Sequence, residues 1–416
     1  MSGTFSRTVS RADLLFRLAR RNVVRNRRRT LVILAAISVG LWAMLFYAAF
    51  SRGWENDVVE EAIGTLTGHL QIHAPGYLDD PSVEHSMTPP DASLRGLLDG
   101  SEVAAWAGRV RVPAVVQSER ETAGVTLVGI DPEAERGLSF VDDAVGEGRP
   151  LASADDRGIL LGRALAERLD TRVGKRVVLM SQALDRSVAD RGFTVVGLFD
   201  ADREATELGF AFVGRARAAE MLGLGDQLSE ISVLLRHRSR LTPMVAHLRR
   251  AAPNLDIEPW TELEPLSQAI LSLAESWIWI FYLVMYVAMG FGLINTLLMA
   301  VLERTRELGL LQALGMRPRL ILGQVVAEAA ILVAVGVAVG GALTALTLAL
   351  LAGGLDVSGL AQGAELWGMS KVIHPALTTV DVVSAVGSVA VLGLLASLYP
   401  AVRAARRVPV EAITRG

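Results

Sequence analysis

Cysteine is absent from the 416 residues, which excludes disulfides, thiolate metal sites and cysteine nucleophiles. Lysine is nearly absent: apart from Lys175 and Lys371, every basic residue is arginine. There are six histidines. His69 and His73 stand four apart in a strand-like stretch, where that spacing does not gather two rings on a helix face, and they are expected to be ordinary surface residues. The stretch TRVGKRV, 171–177, lacks the leading glycine and trailing Ser/Thr of a phosphate-binding loop, and neither H-E-x-x-H nor G-x-S-x-G occurs. The chain therefore has no visible means of hydrolysing a nucleotide. It is expected to be non-catalytic, with no metal site and no bound cofactor.

Apolar length is what the chain has in excess. Hydrophobic residues make up 51% and mean hydropathy is +0.39, positive where soluble chains of this size rarely are. Four stretches reach the roughly 20 residues a membrane span needs: 30–51, 276–302, 320–352 and 382–399. The first follows a basic segment, as a signal peptide would, but its apolar run is too long for one and it is read as a retained anchor. From Trp277 to Leu302 there is no charge, and the third stretch carries one acid, Glu328. No paired Asp, Lys or Arg lies deeper, so Glu328 is expected to snorkel or to contact the neighbouring loop helix rather than relay protons. Gly336 and Gly340 form a GxxxG pattern that permits close helix packing, and Asn295 could hydrogen-bond across helices. For both, packing within the chain and against a second chain remain open.

Acid and base are segregated. Residues 53–275 hold 36 acids and 22 bases, a net of about −14, and the remainder carries about +11, which suggests two environments rather than one globule. Arginines cluster in 1–29, 303–319 and 400–416, so these segments and both termini are expected on the cytoplasmic side of the membrane. Segment 1–29 reads as a basic amphipathic helix at the lipid interface, with Leu14, Leu15, Leu18 and Val23 among arginines. The acidic insert 52–275 and the loop 353–381 face outward. No nucleic-acid partner is expected.

The fold class expected is a membrane α-helical protein with four transmembrane helices and a large α+β extracytoplasmic domain inserted between helices 1 and 2. Within the insert, GHLQIHA, VTLVGI, RVVLM, FTVVGLF and EISVLLR read as strands, and GRALAERLD and RARAAEMLG as helices. Its flanks keep a helical pattern and predict stalk helices at both ends. The second, begun near Glu264 with Pro265 in its first turn, would run unbroken to Glu307.

The segment ERTRELGLLQALGMRPRLI, 303–321, raises the sharpest functional question. Leu308, Leu311 and Leu314 recur at helical spacing, acids and arginines crowd the first turns, Gly315 suits a C-terminal cap and Pro318 stops continuation. Positive-inside topology accounts for the arginines but not for an apolar stripe beside paired acids. A docking element for a cytoplasmic partner accounts for both.

The stretch INTLLMAVLERTRELGLLQALGMRPRLI strongly resembles the signature of FtsX/MacB-type permease subunits of ABC transporters, and YPAVRAARRVPVEAITRG, 399–416, resembles their C-terminal signature. The order of one span, a large outer domain and three further spans is also theirs. GHLQIHAPGYLDDP and GILLGRALAERLDTRVGKRVVLM look most like the lipoprotein-releasing LolC/LolE branch. The resemblance implies two permease chains, identical or homologous, working with two ATPase subunits that hold ATP and Mg. Glu303, Arg304, Arg306, Glu307, Leu310, Leu311 and Gly315 would be the ATPase-coupling contacts. ATP hydrolysis would move the outer domain, an action termed mechanotransmission, to extract lipoproteins from the inner membrane, with membrane lipid and a periplasmic chaperone or adaptor as further partners. The alternatives are a MacB-like efflux component and an FtsX-like regulator of a cell-wall hydrolase. An acyl chain would need an apolar cleft, for which Leu41, Leu45 and Phe46 with Trp279, Leu283 and Tyr286 lie at suitable depth.

Overall fold

A computed structural model describes residues 27–141, 143–201, 203–313, 316–357 and 372–405. The described residues form two compact units, one holding those up to Val58 and from Ile270 onward, the other Val59–Ala269.

The first unit is helical. Among the described residues four helices are long and apolar enough to cross a membrane: Arg27–Ala62, Pro265–Glu303, Pro318–Leu350 and Thr379–Ala405. At 1.5 Å per residue the second is about 58 Å long, nearly twice the hydrocarbon thickness of ~30 Å. Pro265 and Pro318 open their helices, where a missing N–H costs nothing. The bundle core is built from Ile33, Ile37, Leu41 and Leu45 of the first helix, Met289, Leu293 and Leu297 of the second, Leu332 and Val333 of the third, and Val389 of the fourth.

Glycine decides how closely the first and third helices approach. A Cβ on Gly336 would lie 2.6 Å from Cγ2 of Ile37, and one on Gly340 would lie 2.8 Å from the carbonyl oxygen of Ser38. Ser38 donates its hydroxyl to the carbonyl of Gly336 at 3.0 Å. The GxxxG pattern therefore packs within the chain, whereas a Cβ on Gly341 would meet nothing. At the opposite end from Arg29, Arg52 forms a two-pronged pair with Asp381, both contacts at 3.0 Å, and Asp381 also accepts from the backbone and hydroxyl of Thr378. That contact caps the fourth helix and ties it to the first.

The second unit is mixed α/β. Its strands are β1 (Leu70–His73), β2 (Val103–Gln117), β3 (Thr122–Ile130), β4 (Val145–Gly148), β5 (Gly158–Gly162), β6 (Arg176–Gln182), β7 (Val188–Phe199), β8 (Phe210–Gly214), β9 (Glu230–Leu235) and β10 (Asp256–Pro259). They lie in the order β10-β1-β9-β2-β3-β8-β5-β7-β4, with β6 pairing both β2 and β7. Neighbours are antiparallel except β3 with β8 and β5 with β7. The stretches expected as strands fall on β1, β3, β6, β7 and β9, with β3, β6 and β7 running beyond them, and the two expected helices are Arg163–Arg168 and Arg215–Leu222. The longest strand, β2, was not among them. Its first half pairs β9 and its second pairs β3 and β6, and Val110, Val112, Ala114 and Val116 alternate into one core.

Two expectations are corrected here. His69 and His73 are core residues, 7% and 0% exposed, because β1 is an interior strand flanked by β9 and β10. His69 Nδ1 accepts the Leu235 amide at 3.0 Å, and burial holds both imidazoles below their ordinary pKa. The second long helix does not run unbroken to Glu307. It ends at Glu303, and a separate helix starts at Thr305.

Candidate functional site

The site begins at that break. Arg304 is buried, 8% exposed, and its guanidinium points into the bundle, 3.4 Å from Glu328. Arg29 reaches the other oxygen of Glu328 at 3.1 Å and lies 3.6 Å from Glu303. Two arginines thus face two glutamates, and the acid of the third helix holds the start of the first helix and the end of the second. Glu328 makes the polar contact that its position suggested. Thr305 donates its hydroxyl to the carbonyls of Leu302 and Val301 at 2.7 and 3.3 Å, a back-bonding pattern that bends helices. The inward pull on Arg304 and this bond together account for the interruption.

Beyond the break the helix Thr305–Ala313 presents a different face. Arg306 and Glu307 are exposed, and Leu310 is 50% exposed. Residues 306 and 310 are neighbours on one helix face, as are 307 and 310. An exposed leucine bracketed by opposite charges can seat in a partner's groove. Arg304 has the opposite role, since it anchors the helix from inside. Val301, Ile321 and Ala404 form a small apolar cluster at this end, with Met316 and Val325 against it. The side chain of Leu311, and Gly315 altogether, fall outside the described residues, as do residues 1–26 of the segment expected to form the basic N-terminal helix, whose last three residues, 27–29, already belong to the first long helix.

The six residues expected to line a cleft do not come together on one surface. Leu41 and Leu45 are 0% and 2% exposed inside the bundle, whereas Trp279 and Leu283 are 67% and 62% exposed. Phe46 stacks on Trp42, with centroids 5.8 Å apart, and Tyr286 donates its hydroxyl to Ser388 at 2.7 Å. Asn295 is exposed on the second helix. Among the described residues no group of three or more His, Cys, Asp or Glu could hold a metal.

Long apolar helices, a short charged helix between the second and third, and a mixed α/β unit following the first define a membrane permease of the ABC-transporter class. The chain belongs to the FtsX/MacB-type permease family. Residues 30–251, more than half its length, match the MacB-like periplasmic core domain, and residues 279–409 match the FtsX-like permease C-terminal region. The macrolide export ATP-binding/permease protein MacB of Nitrobacter winogradskyi is 26% identical over 93% of this chain, which spans 58% of that protein's length. The lipoprotein-releasing system transmembrane protein LolC of Neisseria meningitidis serogroup B is 23% identical over 70% of this chain and 69% of its own. The periplasmic region of MacB from Actinobacillus actinomycetemcomitans aligns with 50% of this chain and 95% of its own, at 15% identity and a TM-score of 0.35.

Proposed function

We propose that this chain is the membrane subunit of an ABC transporter in a bacterial inner membrane. Its four apolar helices span the bilayer with both termini and the helix Thr305–Ala313 cytoplasmic, and its mixed α/β unit is extracytoplasmic. ATP hydrolysis, with Mg, occurs in an ATPase partner, two copies of which serve two permease chains. The observation that carries the reading is the two-sided arrangement at the break: Glu307 and Leu310 face outward, while Arg304 is tied through Glu328 to the bundle. A push on the outward face is thereby delivered to three long helices at once.

The cargo in this reading is a lipoprotein or another acylated amphiphile taken from the outer leaflet, in keeping with the LolC relative, and a periplasmic chaperone or adaptor receives it. The lipid-facing Trp279 and Leu283 are the residues of the expected cleft best placed to meet an acyl chain first. Export of small molecules is the second reading, favoured by the coverage of the MacB relative.

The test uses the full chain in lipid nanodiscs with its ATPase. Glu307→Arg should lower ATPase affinity or coupled release at least tenfold while membrane insertion and the helical circular-dichroism signal stay unchanged. Normal coupling in that variant would remove the docking face. Copurification of the wild-type chain with acylated protein, or with an adaptor and outer channel, separates the two cargo readings.

A further inference from the structure

The extracytoplasmic unit contains a buried polar group that neither docking nor cargo binding uses. It lies where the first long helix hands over to the sheet. The helix ends at Ala62, a single π-turn follows over Ile63–Thr67, and the chain turns at Gly68, whose φ is +67°. A Cβ there would lie 2.5 Å from Ser232 Oγ and 2.9 Å from the Val233 carbonyl oxygen, so only glycine fits both the space and the dihedral. The carbonyl of Leu66, inside the π-turn, accepts from three side chains of the sheet: Arg109, Ser232 at 3.3 Å and Gln71 at 3.4 Å.

Arg109 is held in turn by two carboxylates. Glu135 takes it with both oxygens at 2.6 and 2.8 Å, and Glu230 accepts at 3.1 Å. Arg111 neutralises Glu230 from the other side at 3.3 Å, and Ser139 donates to Glu135 at 2.7 Å. Arg109, Glu135 and Glu230 are all at most 1% exposed. The formal charges cancel, with two arginines against two glutamates. Buried ion pairs are weak contributors to stability, and apolar residues of similar volume often replace them without loss. What such a group supplies is direction, since a guanidinium fixed by two carboxylates can donate along one line only.

We propose that Arg109 is the positioning residue of a rigid corner, fixing the Leu66 carbonyl so that displacement arriving along the first helix is delivered to β2 and β9 rather than absorbed by the π-turn. A single π-turn is a rare interruption of helical geometry that recurs at functional sites, and here it is the only element between the first helix and the turn at Gly68. The inference rests on the mechanical reading above for its consequence in transport, though not for the corner itself.

The experiment has two arms, both on the full chain in nanodiscs. The variant Arg109→Met/Glu135→Leu removes the clamp in balanced fashion and leaves Glu230 paired with Arg111. Hydrogen–deuterium exchange should rise at least tenfold for the amides of 63–69 and less than twofold for those of β3 and β7. A uniform rise across the unit, or none at 63–69, would overturn the corner. In the second arm, with the ATPase bound, ATP turnover should stay within twofold of wild type while cargo release falls at least fivefold. Equal loss of both, or of neither, would overturn the role in transmission. If no ATPase binds the wild-type chain, the permease reading fails and the exchange arm still decides the corner.

Discussion

The Arg109 group and the Arg304 group contain the same four charges in different surroundings. Around Arg109 the carboxylates are at most 1% exposed and the guanidinium is fully enclosed. Around Arg304 one acid, Glu328, is buried, while the side chain of Glu303 is 51% exposed. The first group has one arrangement that satisfies it. The second can exchange Arg29 between a buried and a solvated acid at little cost, because water screens the outer partner. A closed cluster suits a fixed joint. A half-open one leaves the end of a bundle room to rearrange.

Removing one member should break the comparison most sharply in the closed cluster. Arg109→Ala leaves Glu135 buried and unpaired, and a loss of about 3–5 kcal/mol is expected for the unit Val59–Ala269, checked by chemical denaturation followed through its tryptophans. The balanced replacement described above should cost far less, and that gap is the measure of charge compensation. Glu328→Gln should cost about 1–3 kcal/mol in the helical bundle, since Arg29 keeps Glu303 within reach. Denaturant-induced loss of helicity in mixed micelles would measure it, and a loss as large as that of Arg109→Ala would erase the distinction between the two clusters.

A third group sharpens the contrast because it is unbalanced. Glu258 and Glu262 share Arg249, at 3.3 and 3.9 Å. Burial, and then a hydrogen bond with Glu262, pushes Glu258 up to about 7. A carboxyl raised above its unfolded value favours the folded state below the ordinary glutamate range, near 4.5, and that favour is lost as pH rises through about 7. The unit should therefore lose a small part of its stability between pH 5 and 8, and Glu258→Gln should flatten that slope. Urea midpoints taken across this range provide the check.

The long apolar helices were legible because a bilayer requires uninterrupted apolar length, and composition alone reveals it. Glu328 was legible for the same reason, as an acid among neutral residues. The strand β2 was not, because Gly108 and Pro113 interrupt it and both read as breakers. Proline is tolerated there because residue 113 turns its carbonyl edge away from β3, to the hydroxyl of Ser181, in the gap between the pairings with β9 and β6, where no ladder bond needs its N–H. Arg109 and Glu230 stayed hidden for a different reason: charged residues are mostly exposed, and nothing local to the sequence announces that residues 26 and 121 positions away will neutralise an arginine. His69, just before β1, and His73 at its end misled similarly, since whether a strand is central depends on partners far along the chain. The break at Arg304 was invisible to helical periodicity because it arises from a contact with Glu328, 24 residues on.

That distance between partners has a consequence for biosynthesis. The strand β1 lies between β9 and β10, so after residue 73 emerges the ribosome must add about 160 residues before its first neighbour exists. At about 5–20 residues per second the wait is on the order of 10–30 s. During it, Leu70 and Ile72, both fully buried in the finished sheet, remain open to any passing strand. Slowing translation after residue 73 should therefore raise the chain's aggregation more than slowing it after residue 259.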